Sequence, residues 1–188
     1  MNMISNTNNS QEHISKSISS QSPLSIVSSW VGHTRALRVF DSEHDELNSE
    51  ALWNKIKGRR NLMFVVVTTE GNVFGSYHSI IPHSQGSWVS SDDDQFIFTL
   101  RNSSGTPPTI FRPKQMTHRL LHISKSTTKK KLVWISDAFK IQNDDKSYIS
   151  SSFSRFYNDE KDLGPSIFTN LVYPNTFSFS SFFVLHWF

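Results

Sequence analysis

The stretch at 61–81, NLMFVVVTTEGNVFGSYHSII, constrains the fold of this chain more than any other segment. Two apolar runs flank a short EGN sequence at 70–72, and this pattern is typical of a β-hairpin. The first run, at 61–69, is nearly continuous and rich in Val, which predicts a strand buried on both faces. The second run, at 73–81, predicts the return strand, which Pro82 would end.

Four residues of this hairpin have positions that predict a structural role. Gly71 suits a turn that needs a positive φ. Gly75 lies in mid-strand, which indicates either a bulge or the close approach of a neighbouring backbone or bulky ring. Phe74 and Tyr77 are separated by an odd number of residues, so their side chains are expected on opposite faces of the strand.

One helix is predicted upstream of the hairpin. Apolar residues recur at helical spacing between positions 47 and 56. Asn48 or Asp45 is placed to cap its start, and Gly58 is placed to end it.

Further short strands are predicted from apolar and aromatic runs, and the chain has 15 Phe and 5 Trp, which favour strands. These runs lie at 36–40, 95–100, 119–124, 131–136, 137–141 and 177–187. The segments at 101–113 and 143–159 are predicted as loops from their Gly, Pro and polar content. Six to eight strands and few helices predict a β-rich (α+β) fold, a two-sheet antiparallel β-sandwich with one or two flanking helices.

The domain organisation follows from composition. Residues 1–27 are dominated by Ser, Asn and Gln and predict a disordered tail, because such a segment buries little apolar area. Residues 28–188 are then expected to form one domain. No run reaches the ~20 apolar residues of a transmembrane helix, and the N-terminus lacks the apolar stretch of a signal peptide. A cytoplasmic location is therefore expected, and the protein is separately expected to be a monomer.

Several classes of function are excluded or disfavoured. The chain has no cysteine, which excludes disulfides, cysteine-ligated metals and cysteine nucleophiles. Gly71 and Gly75 are four residues apart and precede a strand pattern, so a hairpin is favoured over a phosphate-binding loop. No bound cofactor is expected.

Histidine chemistry stays open as an alternative. His78 and His83 flank a proline, and His118 and His122 are four residues apart, a spacing that ligates zinc when it lies on a helix. Ser76 and His78 fall on the same face of a strand, but the sequence does not identify the orienting carboxylate of a triad. A hydrolase or metal-dependent enzyme that uses His78/His83 or His118/His122 is the alternative hypothesis.

Two charge clusters are interpreted as solvated segments. Asp92–Asp94 are consecutive acids without the alternation of a calcium loop. The basic segment at 125–131, KSTTKKK, lacks interleaved aromatic residues, and the net charge is only +3, so no specific nucleic-acid partner is expected. Weak binding to an anionic surface is a further hypothesis, carried by Lys125, Lys129, Lys130 and Lys131.

The central block at 61–100 resembles the TLDc domain family. That family shows an apolar strand, a T-x-x-G-x-x-F-G-x-Y/F motif, a loop that contains Trp and a D-x-x-x-F-L/I-F-x-L strand. The matching residues here are Gly71, Phe74, Gly75, Tyr77, Trp88, Asp92, Phe96, Phe98 and Leu100. The helix ALWNKIKGRRN and the closing YPNTFSFSSFFVLHWF also resemble the family, so the likeness covers roughly 28–188.

The resemblance implies a β-sandwich with flanking helices that acts as a non-enzymatic protein-interaction module. Members are associated with protection against oxidative stress, and several bind the vacuolar proton-pumping ATPase, so the resemblance implies a protein partner such as a peripheral subunit of that ATPase. No catalytic residue or metal ligand is transferred from the family. The family pattern implies structural roles for Gly71, Phe74, Gly75, Tyr77 and Trp187.

Overall fold

The computed structural model describes residues 22–114, 119–128 and 130–188. Within these residues ten strands, numbered along the chain, form two antiparallel sheets. The six-stranded sheet has the order β1 (Ala36–Asp41), β10 (Phe179–Trp187), β2 (Leu62–Thr68), β3 (Val73–His78), β4 (Phe96–Arg101) and β5 (Thr109–Phe111). The four-stranded sheet has the order β6 (Leu121–Ile123), β7 (Lys131–Ile135), β8 (Phe139–Gln142) and β9 (Tyr148–Ile149). The predicted β-rich sandwich is confirmed.

Three α-helices and one 3₁₀ turn accompany the sheets in the described residues. They are α1 (Pro23–Val31), α2 (Ser49–Ile56), α3 (Phe153–Phe156) and the 3₁₀ turn Pro165–Ile167. The prediction for α2 is confirmed, and Asn48 caps it by accepting a hydrogen bond from Ala51 N at 2.8 Å.

Helix α1 is absent from the sequence prediction. Ser22 caps its first turn, Pro23 occupies the first position, and Gly32 ends it at φ 69°. Its Trp30 packs on the rings of Phe96 and Phe98, at centroid distances of 6.2 and 5.9 Å. Residues 1–21 lie outside the described residues, so the predicted tail stays a prediction there, whereas residues 23–27 of the predicted 1–27 segment lie in α1.

The main core lies between the two sheets. Phe74 of β3 contacts Phe139 of β8 at a centroid distance of 5.3 Å, and it also packs on Phe168 and Phe177. A second apolar layer fills the space between the six-stranded sheet and α1, and it contains Tyr77. Phe74 and Tyr77 therefore lie on opposite faces of β3, as their odd spacing predicts.

The predicted hairpin is present as β2 and β3. Gly71 adopts φ 84° in the turn, and its N–H donates to Thr68 O at 3.0 Å. A Cβ atom at Gly75 would overlap the backbone carbonyl of Phe64 and lie 2.8 Å from Cζ of Phe98. Gly75 is thus a point of close approach between neighbouring strands.

Three details differ from the sequence prediction. Strand β3 ends at His78 rather than near Ile81, because the N–H and hydroxyl groups of Ser79 both donate to Asp92 instead of continuing the ladder. There are ten strands rather than six to eight, since β5 and β9 lie in segments predicted as loops. Pairing with neighbouring strands stabilises these short segments.

Candidate functional site

A serine and a histidine with the spacing of a catalytic pair lie on β3. Ser76 and His78 are two residues apart, so both face the core between the sheets. The Nε2 atom of His78 lies 3.1 Å from Oγ of Ser76. Both side chains are completely buried.

The carboxylate that the sequence did not identify is Asp92. Its Oδ2 atom lies 3.9 Å from Nδ1 of His78, which is beyond hydrogen-bond distance. Its oxygens accept hydrogen bonds from Ser79 N at 2.9 Å, from Ser79 Oγ at 2.6 Å and from Asp94 N at 3.3 Å. Together Ser76, His78 and Asp92 form what we call the buried polar cluster.

The interpretation of Asp92–Asp94 as a solvated turn is wrong for Asp92. Asp93 and Asp94 are exposed, whereas Asp92 is buried. A signal for this existed in the sequence. The segment leads directly into the strand that pairs with β3, and in an antiparallel pair the start of one strand meets the end of its neighbour.

Burial controls the protonation of this cluster. It lowers the pKa of His78 to about 3, so the imidazole is neutral near neutral pH. The ring of Phe64 packs edge-on against it at a centroid distance of 5.9 Å. Burial also raises the pKa of Asp92, and the hydrogen bonds from Ser79 and Ile80 act against that rise.

The buried polar cluster has the residue types of a nucleophilic triad but lacks access for a substrate. None of the three described cavities is lined by Ser76, His78 or Asp92. A nucleophile must lie within reach of the reacting atom, and the Ser76 hydroxyl is enclosed by protein. The cluster instead ties the end of β3 to the loop before β4.

The histidines proposed as metal ligands do not form a ligand group in the described residues. His83 is exposed and lies 3.5 Å from the Ser87 hydroxyl, and His122 is on β6. His118 lies outside the described residues.

Among the described residues, the one group with metal-ligand geometry is Asp41, Glu43 and His44. Arg38 already pairs with the Asp41 carboxylate at 2.7 Å and lowers its pKa. Glu43 and His44 are exposed, and nothing in the structure indicates an ion there.

A row of aromatic and basic side chains crosses the outer face of the four-stranded sheet. Five residues lie side by side across this sheet, because each is the cross-strand partner of the next, the first pair through an isolated β-bridge. We call them the outer ladder: Trp88, His122, Trp134, Lys140 and Tyr148. The Lys140 ammonium lies 3.7 Å from the centre of the Trp134 ring and 5.3 Å from that of Tyr148.

A second exposed surface lies where β1 pairs with the end of β10. Leu37 is directly opposite His186 and is 54% exposed. Phe188 is 47% exposed, packs on His186 at a centroid distance of 5.5 Å, and lies beneath the Arg35 guanidinium at 5.0 Å. We call Arg35, Leu37, His186 and Phe188 the edge patch.

The fold and the candidate sites define a β-sandwich protein in which the buried polar cluster is closed to solvent. Its exposed aromatic and basic groups lie in the outer ladder and the edge patch. Within the described residues, no helix combines the length and apolarity needed to cross a membrane. A family model for the TLDc domain matches residues 6–161. The chain belongs to the TLDc domain family. A search of curated proteins finds no match.

The family match ends before β10, but the sheet depends on that strand. β10 lies between β1 and β2 and pairs with both. Trp187, near its end, is 1% exposed and lies in the layer beneath α1.

Proposed function

We propose that this protein is a non-enzymatic TLDc-type interaction module that binds another protein. The observation that carries this proposal is the closure of the buried polar cluster. Ser76 and His78 have the spacing of a catalytic pair, yet both are completely enclosed. With its nucleophile-type hydroxyl out of reach, the molecule would act through its exposed surfaces.

The edge patch is the surface that we assign to the protein partner. Leu37 and Phe188 are two of the six large apolar side chains that are exposed among the described residues. Exposed apolar groups that lie together mark interaction sites more often than single ones do.

The charge around the edge patch indicates the chemistry of the partner. Arg35 lies over the Phe188 ring. Burial lowers the pKa of His186, and the nearby positive charge of Arg59 lowers it further. Arginine beside an aromatic ring is a common composition of binding hot spots. The partner surface is therefore one that combines apolar and acidic side chains.

We further propose that the partner is a peripheral subunit of the vacuolar proton-pumping ATPase, with a role in the response to oxidative stress. This proposal rests on the properties of TLDc proteins. The chain has no Cys and 4 Met, so protection by direct thiol chemistry is excluded. Any protective effect would pass through a partner.

Affinity capture from cell lysate with quantitative proteomics tests both levels of the proposal. We expect the wild-type protein to retain a specific partner that the double variant Leu37→Asp/Phe188→Asp loses. Leu171→Asp is the matched control, because Leu171 is also an exposed leucine, at 37%. Equal capture by all three proteins would overturn the assignment of the edge patch. A specific partner set without any ATPase subunit would overturn the proposed partner.

A further inference from the structure

A cavity of about 230 Å³ opens beside the outer ladder. Its walls come from the loop between β3 and β4, from the loop between β6 and β7, and from β6, β7 and β8. The lining residues are Gly86, His122, Ser124, Lys125, Thr128, Lys131, Trp134 and Lys140. Three of these eight carry an ammonium group and none carries a carboxylate, so the cavity is strongly cationic.

Lys140 is the most constrained of the three lysines. It is only 8% exposed, and no ion pair of the described residues involves it. Burying an ammonium group without a carboxylate is unfavourable, and the rings of Trp134 and Tyr148 offset only part of that cost. A bound anion would supply the missing counter-charge.

The lysines of the basic segment at 125–131 differ in whether they line the cavity and in whether they form an ion pair. Lys130 pairs with Asp144 at 3.3 Å and its side chain is 68% exposed. Lys125 and Lys131 line the cavity, and none of the ion pairs within the described part of the chain includes them. Lys129, which the sequence grouped with them, lies outside the described residues.

The loop that contains Gly86 lies against the side chain of Lys125. Gly86 adopts φ 80°, and a Cβ atom there would lie 2.7 Å from Cγ of Lys125. The absence of a side chain at Gly86 therefore lets the Lys125 stem lie against the loop. The Lys125 carbonyl accepts hydrogen bonds from the hydroxyls of Ser49 at 3.2 Å and Thr128 at 2.6 Å, which fix its backbone.

The size and donors of the cavity select the class of ligand. Its volume lies below the ~300–1,000 Å³ that is usual for pockets of drug-sized molecules. Ammonium groups bind phosphate as point charges, and a tetrahedral dianion can contact several of them together. The hydroxyl group of Ser124 adds a neutral donor of the kind that phosphate oxygens accept.

We propose that this cavity binds a phosphate group, with Lys125, Lys131 and Lys140 as its cationic ligands. The proposal goes beyond the interaction module and does not depend on the edge patch. The phosphate group can belong to a soluble compound or to a lipid headgroup.

His122 provides an internal reporter of occupancy. Burial lowers its pKa, the Lys140 charge lowers it further, and the Gly86 backbone acts in the opposite direction. A phosphate dianion beside Lys140 would oppose that positive charge. Binding should therefore raise the pKa of His122.

Titration of the full chain with inorganic phosphate, followed by NMR at constant ionic strength, tests the proposal. We expect saturable shifts at the cavity residues with a dissociation constant on the order of 1 mM, and a higher His122 pKa at saturation. Lys140→Met and Lys131→Gln should each weaken binding by about tenfold or more, while Lys130→Gln should leave it unchanged. Lys131 is exposed, so its variant tests the cavity even if Lys140→Met fails to fold.

A second arm separates the two sources of phosphate. Phosphatidylcholine vesicles with and without a phosphoinositide are tested for sedimentation of the protein. Binding to phosphoinositide vesicles that Lys131→Gln removes identifies a lipid headgroup, and phosphate binding without vesicle binding identifies a soluble ligand. Shifts that never saturate, or equal affinity in Lys131→Gln and Lys130→Gln, would overturn the proposal whatever the edge-patch variants do.

Discussion

Nε2 of His78 lies 3.1 Å from Oγ of Ser76 inside the core between the two sheets, where neither side chain is exposed. This pair places a hydrogen bond, rather than another apolar contact, at the end of β3. Asp92 adds the hydrogen bonds that tie the following loop to the same point. The three residues thus act as a structural unit, and their burial has measurable consequences.

The first prediction concerns pH. The unfolded chain protonates His78 below the ordinary pKa of 6.5, whereas the folded protein does so only near its pKa of about 3. The unfolded state therefore binds more protons between these values, and the free energy of unfolding falls as pH falls. His78 alone contributes a slope of up to about 1.4 kcal/mol per pH unit. Denaturant titrations at pH 6.5, 6 and 5.5 measure it.

The control for this slope is His78→Gln, which removes the imidazole and keeps a group able to hydrogen-bond Ser76. His122 and His186, whose pKa values burial also lowers, contribute to both proteins equally. Asp92, whose pKa is raised, acts with the opposite sign, because the folded state takes up its proton first. An equal pH slope in both proteins would be inconsistent with a buried neutral His78.

The second prediction compares two adjacent aspartates. Asp92→Ala removes the acceptor of the Ser79 N–H and hydroxyl groups, and it should lower the free energy of unfolding by about 2 kcal/mol. Asp93→Ala should change it by no more than about 0.5 kcal/mol, because Asp93 is exposed. Thermal or urea unfolding measures both. Similar values for the two variants would show that Asp92 is solvated after all.

The third prediction concerns the close approach at Gly75. A methyl group there must displace the Phe64 backbone, which the paired strand β2 cannot easily allow. Gly75→Ala should therefore lower the free energy of unfolding by about 3 kcal/mol or more. Gly105→Ala is the control, since it has no neighbour within 4 Å and suffers only from its φ of 69°, worth about 1 kcal/mol. Equal losses would contradict the strand spacing.

The fourth prediction concerns the end of the family match. A chain truncated after residue 161 lacks β10, which lies between β1 and β2 and pairs with both. It also loses Phe168 and Phe177 from the core around Phe74. We expect circular dichroism to show no cooperative unfolding transition for the truncated chain, in contrast to the full one. A cooperative transition in the truncated chain would show that β10 is dispensable.

The sequence predicts those elements whose signals are local. The hairpin is evident from two apolar runs and the turn at Gly71, and the start of α2 is evident from Asn48. Helix α1 is missed because its Ser-rich sequence resembles a tail. Its stability depends on the packing of Trp30 against β4, which composition does not reveal.

The candidate sites depend more strongly on contacts between distant parts of the chain. Asp92 and His78 are fourteen residues apart, and only the pairing of β3 with β4 brings them together. Lys140 enters the cationic cavity because it lies beside Trp134 across two paired strands. Sequence alone indicates the basic segment but not which of its lysines lacks a counter-charge.

The claim that Ser76, His78 and Asp92 form a closed structural cluster is tested most directly by the ionisation of His78. NMR of the ¹⁵N-labelled imidazole ring reports its protonation as a function of pH. Our account predicts that His78 stays neutral from pH 8 down to about pH 5, because burial lowers its pKa to about 3. Titration of His78 near its ordinary pKa of 6.5 would contradict the account and would reopen the hydrolase hypothesis.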